Sequence, residues 1–138
     1  MLDRVSAMAR PVVLIVEDEW LLRELAVELV EEAGFLALEA GDADEAVAML
    51  GARADIAVLF TDINMPGSMD GLKLAHAVRD RWPPVKIIVA SGRVRLEQSD
   101  LPPDSAFLEK PYHGRAMIAQ LLSMVDPTPA LIGSDFGS

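Results

Sequence analysis

The side chains best suited to chemistry are three carboxylates, a hydroxyl and a lysine, far apart along the chain: Glu17 and Asp18, then Asp62, Ser91 and Lys110. Gathered in one place, the carboxylates would need a counter-charge. Two such groups ~5 Å apart repel by about 3 kcal/mol at an effective dielectric of about 20. Oxygen donors without His or Cys select a hard cation such as Mg²⁺, which keeps waters and favours one or two carboxylates plus phosphate oxygens. Lys110 adds a second positive charge. A carboxylate, Mg²⁺, a lysine and a hydroxyl together can hold a phosphoryl group, with Asp62 as the nucleophile that takes it as an aspartyl-phosphate. Singly, each residue has a plainer reading. Asp18 and Asp62 suit helix N-caps after strands, Lys110 suits a solvated surface, and Ser91-Gly92 suits a turn.

The elements that must position these residues are short apolar runs alternating with helix-period segments. The runs are Val12 to Val16, Phe35 to Leu38, Ile56 to Phe60, Val85 to Val89 and a weaker Ala106 to Leu108. Most show little alternation, as expected for parallel strands covered on both faces. Leu22, Leu25, Ala26, Leu29, Val30 and Ala33 form a stripe at spacings of three and four, closed by Gly34 as a C-terminal cap. Shorter stripes are Ala46, Met49 and Leu50; Leu74, Ala75 and Val78; and Met117, Leu121, Leu122 and Val125. This alternation predicts right-handed βαβ units and a doubly wound (βα)₅ α/β fold with a five-stranded parallel sheet. Between Arg93 and Ser105 only Leu96 anchors a helix before Leu101-Pro102-Pro103, so the fourth helix is expected to be short, irregular or absent. In such sheets ligands bind beyond the carboxyl ends of the strands. Glu17-Asp18, Asp62, Ser91-Gly92 and Lys110 each follow a different run, so they are expected to converge there.

The bulk numbers bound the alternatives. A chain of 138 residues fits one domain and needs no metal or disulfide to fold. There is no cysteine, which excludes disulfides, thiolate nucleophiles and Cys-based zinc sites. The formal net charge of −10 repels nucleic-acid phosphates and argues against DNA or RNA binding. The run Val12 to Val16 is too short to span a membrane, so a cytoplasmic location is expected. Residues 1–10 read as a flexible leader, 11–126 as the folded domain, and 127–138 as a flexible tail.

Glu17-Asp18, Asp62 within Phe60-Thr61-Asp62-Ile63-Asn64-Met65-Pro66, Ser91-Gly92 and Lys110-Pro111 resemble, in this order, the receiver domain of two-component response regulators. The resemblance covers roughly residues 11 to 126. It implies the flavodoxin-like strand order 2-1-3-4-5 of a CheY-like domain. It also implies phosphorylation of Asp62 by a histidine kinase or histidine phosphotransfer protein, with Mg²⁺ as cofactor. Asp18 would be a direct metal ligand, Glu17 an acidic neighbour acting through water, and the backbone carbonyl of Asn64 a further ligand. Ser91 would move toward the phosphoryl group, Lys110 would pair with it, and Phe107 would occupy an aromatic switch position. The Lys110-Pro111 bond is cis in the family. The resemblance implies a signalling protein rather than an enzyme, acting as a monomer or weak homodimer without nucleic acid or membrane.

Three departures stand out. Glu17 replaces the commoner Asp, the segment from Met65 to Asp70 is one residue longer than usual, and the stretch from Ser91 to Lys110 is a few residues short. The face that often carries output in the family is therefore expected to be remodelled. Arg93 and Arg95 read as surface residues, as do His76 and His113. Trp20 and Trp82 read as packing or surface residues, and Asp70-Gly71 as the turn and cap before a helix. A phosphohydrolase would need a second carboxylate two residues beyond the nucleophile, where Asn64 stands, and a cap this chain is too short to supply. A flavin binder would need a phosphate-cradling loop in place of Glu17-Asp18-Glu19-Trp20. No output domain is expected after residue 126, and a free-standing regulator and a receiver excised from a hybrid kinase both stay open.

Overall fold

The computed structural model describes residues 10–63, 70–92 and 97–125. Asn64, the lengthened loop after it, Arg93, Arg95, Leu96, most of the leader and the tail lie outside the described residues.

Five strands form one parallel sheet: β1 (Val12–Val16), β2 (Leu36–Ala40), β3 (Ile56–Asp62), β4 (Lys86–Ser91) and β5 (Ser105–Glu109), in the order β2-β1-β3-β4-β5. The continuous apolar runs are the interior strands. All of β1 is buried, while the edge strands β2 and β5 are mostly half-buried. Phe35 falls just before β2 rather than within it and is fully buried.

Among the described residues four α-helices cover the sheet: α1 (Trp20–Glu32), α2 (Ala43–Ala52), α3 (Gly71–Arg81) and α4 (Gly114–Met124). On one face Ala26 and Val30 of α1 join Met117 and Leu121 of α4 over Val13, Ile15, Val58 and Phe60. On the other, Ala46 and Leu50 of α2 and Leu74, Ala75 and Val78 of α3 pack on Leu14, Leu59, Ile87 and Val89. Between β4 and β5 the described residues hold one short 3₁₀ helix, Gln98–Asp100. Among the described residues no helix is long and apolar enough to cross a membrane.

Local signals explain the helix ends. Gly34 has φ of 100°, and its N–H donates to the Glu31 carbonyl while that of Phe35 donates to Val30, which closes α1 in a Schellman turn. Asp42 and Asp70 cap α2 and α3, accepting from the N–H groups of Glu45 and Lys73 at 2.8 and 2.9 Å. The α1 stripe is a partial exception to the sequence expectation. Leu22 and Leu25 are exposed instead of lying in the core, because the first turns of α1 overhang a groove beside the sheet end.

Candidate functional site

The strand order puts a switch point between β1 and β3, since the chain leaves β1 toward β2 on one side and returns to β3 on the other. A crevice opens there at the carboxyl ends of the strands. Glu17 and Asp18 follow β1, Asp62 ends β3, Ser91 ends β4, and Lys110 follows β5. The registers Asp62 with Ala90 and Ser91 with Glu109 bring these ends level. The Lys110 N–H donates to the Ser91 carbonyl at 2.9 Å, which joins the β4 and β5 ends beside a cis Lys110-Pro111 bond.

The structure thus gathers Glu17, Asp18, Asp62, Ser91 and Lys110. Single carboxylate oxygens of Glu17, Asp18 and Asp62 lie within 4.8 Å of one another. Glu17, Asp62 and Ser91 are buried, whereas Asp18 is exposed. Glu17 is held at both oxygens: Oε1 lies 3.2 Å from the Lys110 ammonium, and Oε2 accepts the Glu19 N–H at 3.2 Å. Lys110 Nζ is 3.4 Å from Asp62 Oδ1, an ion pair too long for a directional hydrogen bond, and Oδ1 has no hydrogen-bond partner among the described residues.

The two capping alternatives are decided here. The N-cap of α1 is Glu19, with no side-chain capping bond, and α3 is capped by Asp70. Neither Asp18 nor Asp62 caps a helix, so both carboxylates are available to a ligand.

The electrostatics follow from burial. Burial pushes the Glu17 carboxyl above its usual range; the Glu19 N–H and the Lys110 charge offset this in part, and Asp62 adds to it. For Lys110 burial pulls the other way, yet the Asp62 and Glu17 charges win and hold its ammonium above the ordinary lysine value. Three carboxylates and one ammonium leave a formal charge of −3 + 1 = −2, the charge a divalent cation balances. The all-oxygen donor set and the Asp62 Oδ1, which has no hydrogen-bond partner among the described residues, fit Mg²⁺.

Further residues complete the site without having been singled out by spacing. A groove of about 690 Å³ runs from the carboxylates along α1, lined by Asp18, Leu22, Leu25, Lys110 and Tyr112 among others. Tyr112 packs edge-on against Phe60 with ring centroids 5.9 Å apart. Burial, then the Glu17 and Asp62 charges, push its hydroxyl up to about 12. Its position two residues after Lys110 was the available sequence signal. Gly71 begins α3 where a Cβ would overlap the Asp62 carbonyl oxygen, and its N–H donates to Ile63 at 3.0 Å. Only glycine lets α3 start this close to the end of β3, a role that Asp70-Gly71 hinted at only as a turn.

The remaining expected residues lie away from the carboxylates. Phe107 is half-buried on β5, paired with Val89 and packed on the α2/α3 face. His76 and His113 are exposed. His76 Nε2 lies 2.9 Å from the Asp100 carbonyl oxygen, and His113 is the N-cap of α4. Trp82 is half-buried beneath the Arg81 guanidinium, 4.4 Å from its ring centroid.

The family model for the response regulator receiver domain matches residues 13–121. The response regulator receiver protein CpdR of Brucella abortus is 30% identical over 116 residues, covering 82% of this chain and 95% of that protein. The nitrogen assimilation regulatory protein NtrX of Azorhizobium caulinodans is 32% identical over 110 residues, covering 77% of this chain; the match spans only 24% of NtrX. Among solved structures, a response regulator receiver protein from Sinorhizobium medicae is 31% identical, with a TM-score of 0.75, over 83% of this chain and 95% of that one.

Proposed function

This chain belongs to the response regulator receiver domain family, and we propose that it is a phosphoacceptor whose Asp62 takes a phosphoryl group from a histidine kinase or histidine phosphotransfer protein. The observation that carries this reading is the setting of Asp62: a buried carboxylate at the end of β3, flanked by Asp18 and Lys110, facing an open groove. An Asp62 carboxylate oxygen attacks phosphorus, the N–P bond of the donor's phosphohistidine breaks, and its electron pair leaves on the imidazole. The Lys110 ammonium is placed to neutralise a phosphoryl oxygen. Asp18 and Asp62 would hold Mg²⁺, with Glu17 beside them. Bound there, the ion neutralises charge on the phosphoryl group. Ser91 is the hydroxyl proposed to follow the phosphoryl group. Its strand parity with Val89 puts it on the Phe107 side of the sheet, which supports a joint switching role.

The groove at Asp62 runs along α1, where Trp20, Leu21, Leu22 and Leu25 are exposed, and this side suits the approach of a protein donor. A contiguous apolar surface beside a reactive group suits contact with another protein. The test is phosphate incorporation with Mg²⁺ and acetyl phosphate or a phosphohistidine donor. Acid-stable, base-labile label is expected on the wild-type chain and is lost in Asp62→Asn. Equal labelling of the two would reject Asp62 as the acceptor.

A further inference from the structure

Glu17 and Asp18 occupy a short loop between β1 and α1, and their mutual repulsion with Asp62 favours splaying that loop open. The backbone of Glu17 is nevertheless held on both sides. Its N–H donates to the Ala40 carbonyl at the end of β2, at 3.1 Å. Its carbonyl accepts from Nη1 of Arg23 at 2.7 Å. Arg23 lies in the first turn of α1, and its Nε donates to Oε1 of Glu39 on β2 at 3.1 Å. The guanidinium is seated rather than dangling. Its side chain is 23% exposed, and a Cβ on Gly41 would come within 3.4 Å of Nη1. One planar side chain therefore ties three things together: the edge strand, the first helix, and the peptide group that joins Glu17 to Asp18.

We infer that Arg23 is a positioning residue for the acidic site, holding the β1–α1 loop so that Asp18 presents its carboxylate to a divalent cation, with Glu39 aiming the guanidinium. The inference rests on the reading of the acidic cluster as a Mg²⁺ site. Mg²⁺ demands near-ideal octahedral geometry, so a loop free to splay binds it poorly. Groups one step removed from a metal typically change its affinity 10–100-fold when lost.

The sign of the effect separates positioning from bulk electrostatics. Removing a positive charge near three carboxylates should by itself tighten cation binding. Loss of a positioning contact should weaken it. The experiment is calorimetric titration of the full chain with MgCl₂, comparing wild type with Arg23→Met, Arg23→Lys and Glu39→Gln, with circular dichroism to verify folding. Arg23→Met keeps the apolar stem and is expected to raise the Mg²⁺ dissociation constant about tenfold. Arg23→Lys keeps the charge without the fork and should fall between Arg23→Met and wild type. Glu39→Gln should also weaken binding, through the lost aim of the guanidinium and the lost negative charge together. An Arg23→Met protein that is folded and binds Mg²⁺ as well as or better than wild type overturns the inference. If Arg23→Met does not fold, Arg23→Lys decides, because it leaves the charge unchanged: weaker binding supports positioning, and unchanged binding overturns it. Wild-type protein that binds no Mg²⁺ would instead reject the metal site itself, and the inference with it.

Discussion

The helices α1 and α3 cover opposite faces of one sheet and treat their apolar residues in opposite ways. In α3, Leu74, Ala75 and Val78 are each 0% exposed, so its apolar stripe is used up in the core. Its polar side chains are also engaged. Arg79 donates to the carbonyls of Pro83, Val85, Pro103 and Asp104, at 2.8 to 3.3 Å, and His76 meets the Asp100 carbonyl oxygen. The contacts to Asp100, Pro103 and Asp104 fasten the β4–β5 connection to α3, and those to Pro83 and Val85 hold the turn into β4. In α1 only Ala26 and Val30 are buried, while Trp20 is 64% and Leu25 50% exposed. One helix closes a surface and the other leaves an apolar one open beside the groove that Asp62 lines. A helical stripe therefore marks what can be buried, and whether it is buried depends on the neighbours available.

The sharpest test of this contrast pairs two leucines. Leu74→Ala should lower unfolding free energy by about 2–5 kcal/mol, read from denaturant midpoints. Leu25→Ala should cost less than about 1 kcal/mol, because half of its surface is already in water. It should nonetheless slow phosphotransfer from a protein donor while leaving labelling by acetyl phosphate unchanged. Equal stability losses for the two would dissolve the comparison.

A smaller effect is expected at the fastening itself. Arg79→Met removes several charge-assisted hydrogen bonds from a partly exposed site and should cost about 1–3 kcal/mol. Hydrogen exchange should quicken between Gln98 and Ser105 rather than across α1. Faster exchange spread evenly over both helices would mean that Arg79 only adds global stability.

The smallest expected effect is a titration on the α1 side. Tyr112 is the single tyrosine, so phenolate absorbance reports it alone. It should titrate at about 12 in the folded protein, against ~10 when unperturbed. Its folded value is raised, so the native state keeps the proton longer. Stability should therefore fall as pH climbs from ~10 toward the folded value. Glu17→Gln should lower the apparent value, since Glu17 is one of the two charges acting on the ring. A transition at ~10 in folded protein would show that the ring does not share the buried environment of the acidic site.

Much of the architecture was legible because its signals are local. Continuous apolar runs marked the interior strands, and Gly34, Asp70 and the weak segment before Leu101 marked a helix end, a helix start and a short or irregular fourth helix. The short β4–β5 connection with its 3₁₀ turn meets that last expectation. Site residues were legible for a related reason. A parallel sheet puts every strand's carboxyl end on one side, so the residues after each run are neighbours whatever the exact register. Gly71 and Arg23 were not legible in this way. One depends on the approach of α3 to β3, and the other on where the β2 edge lies beside α1.

By itself, then, the sequence determined the strand–helix alternation, the interior strands and the set of polar groups at the sheet end. Each of these depends on residue type and spacing along a few neighbouring positions. Only the tertiary structure decided that Asp18 and Asp62 are not helix caps, that Glu17 shares Lys110 with Asp62, and that the leucines of α1 stay exposed. Burial and ion pairing are properties of two groups at once, and here the second group comes from a distant part of the chain.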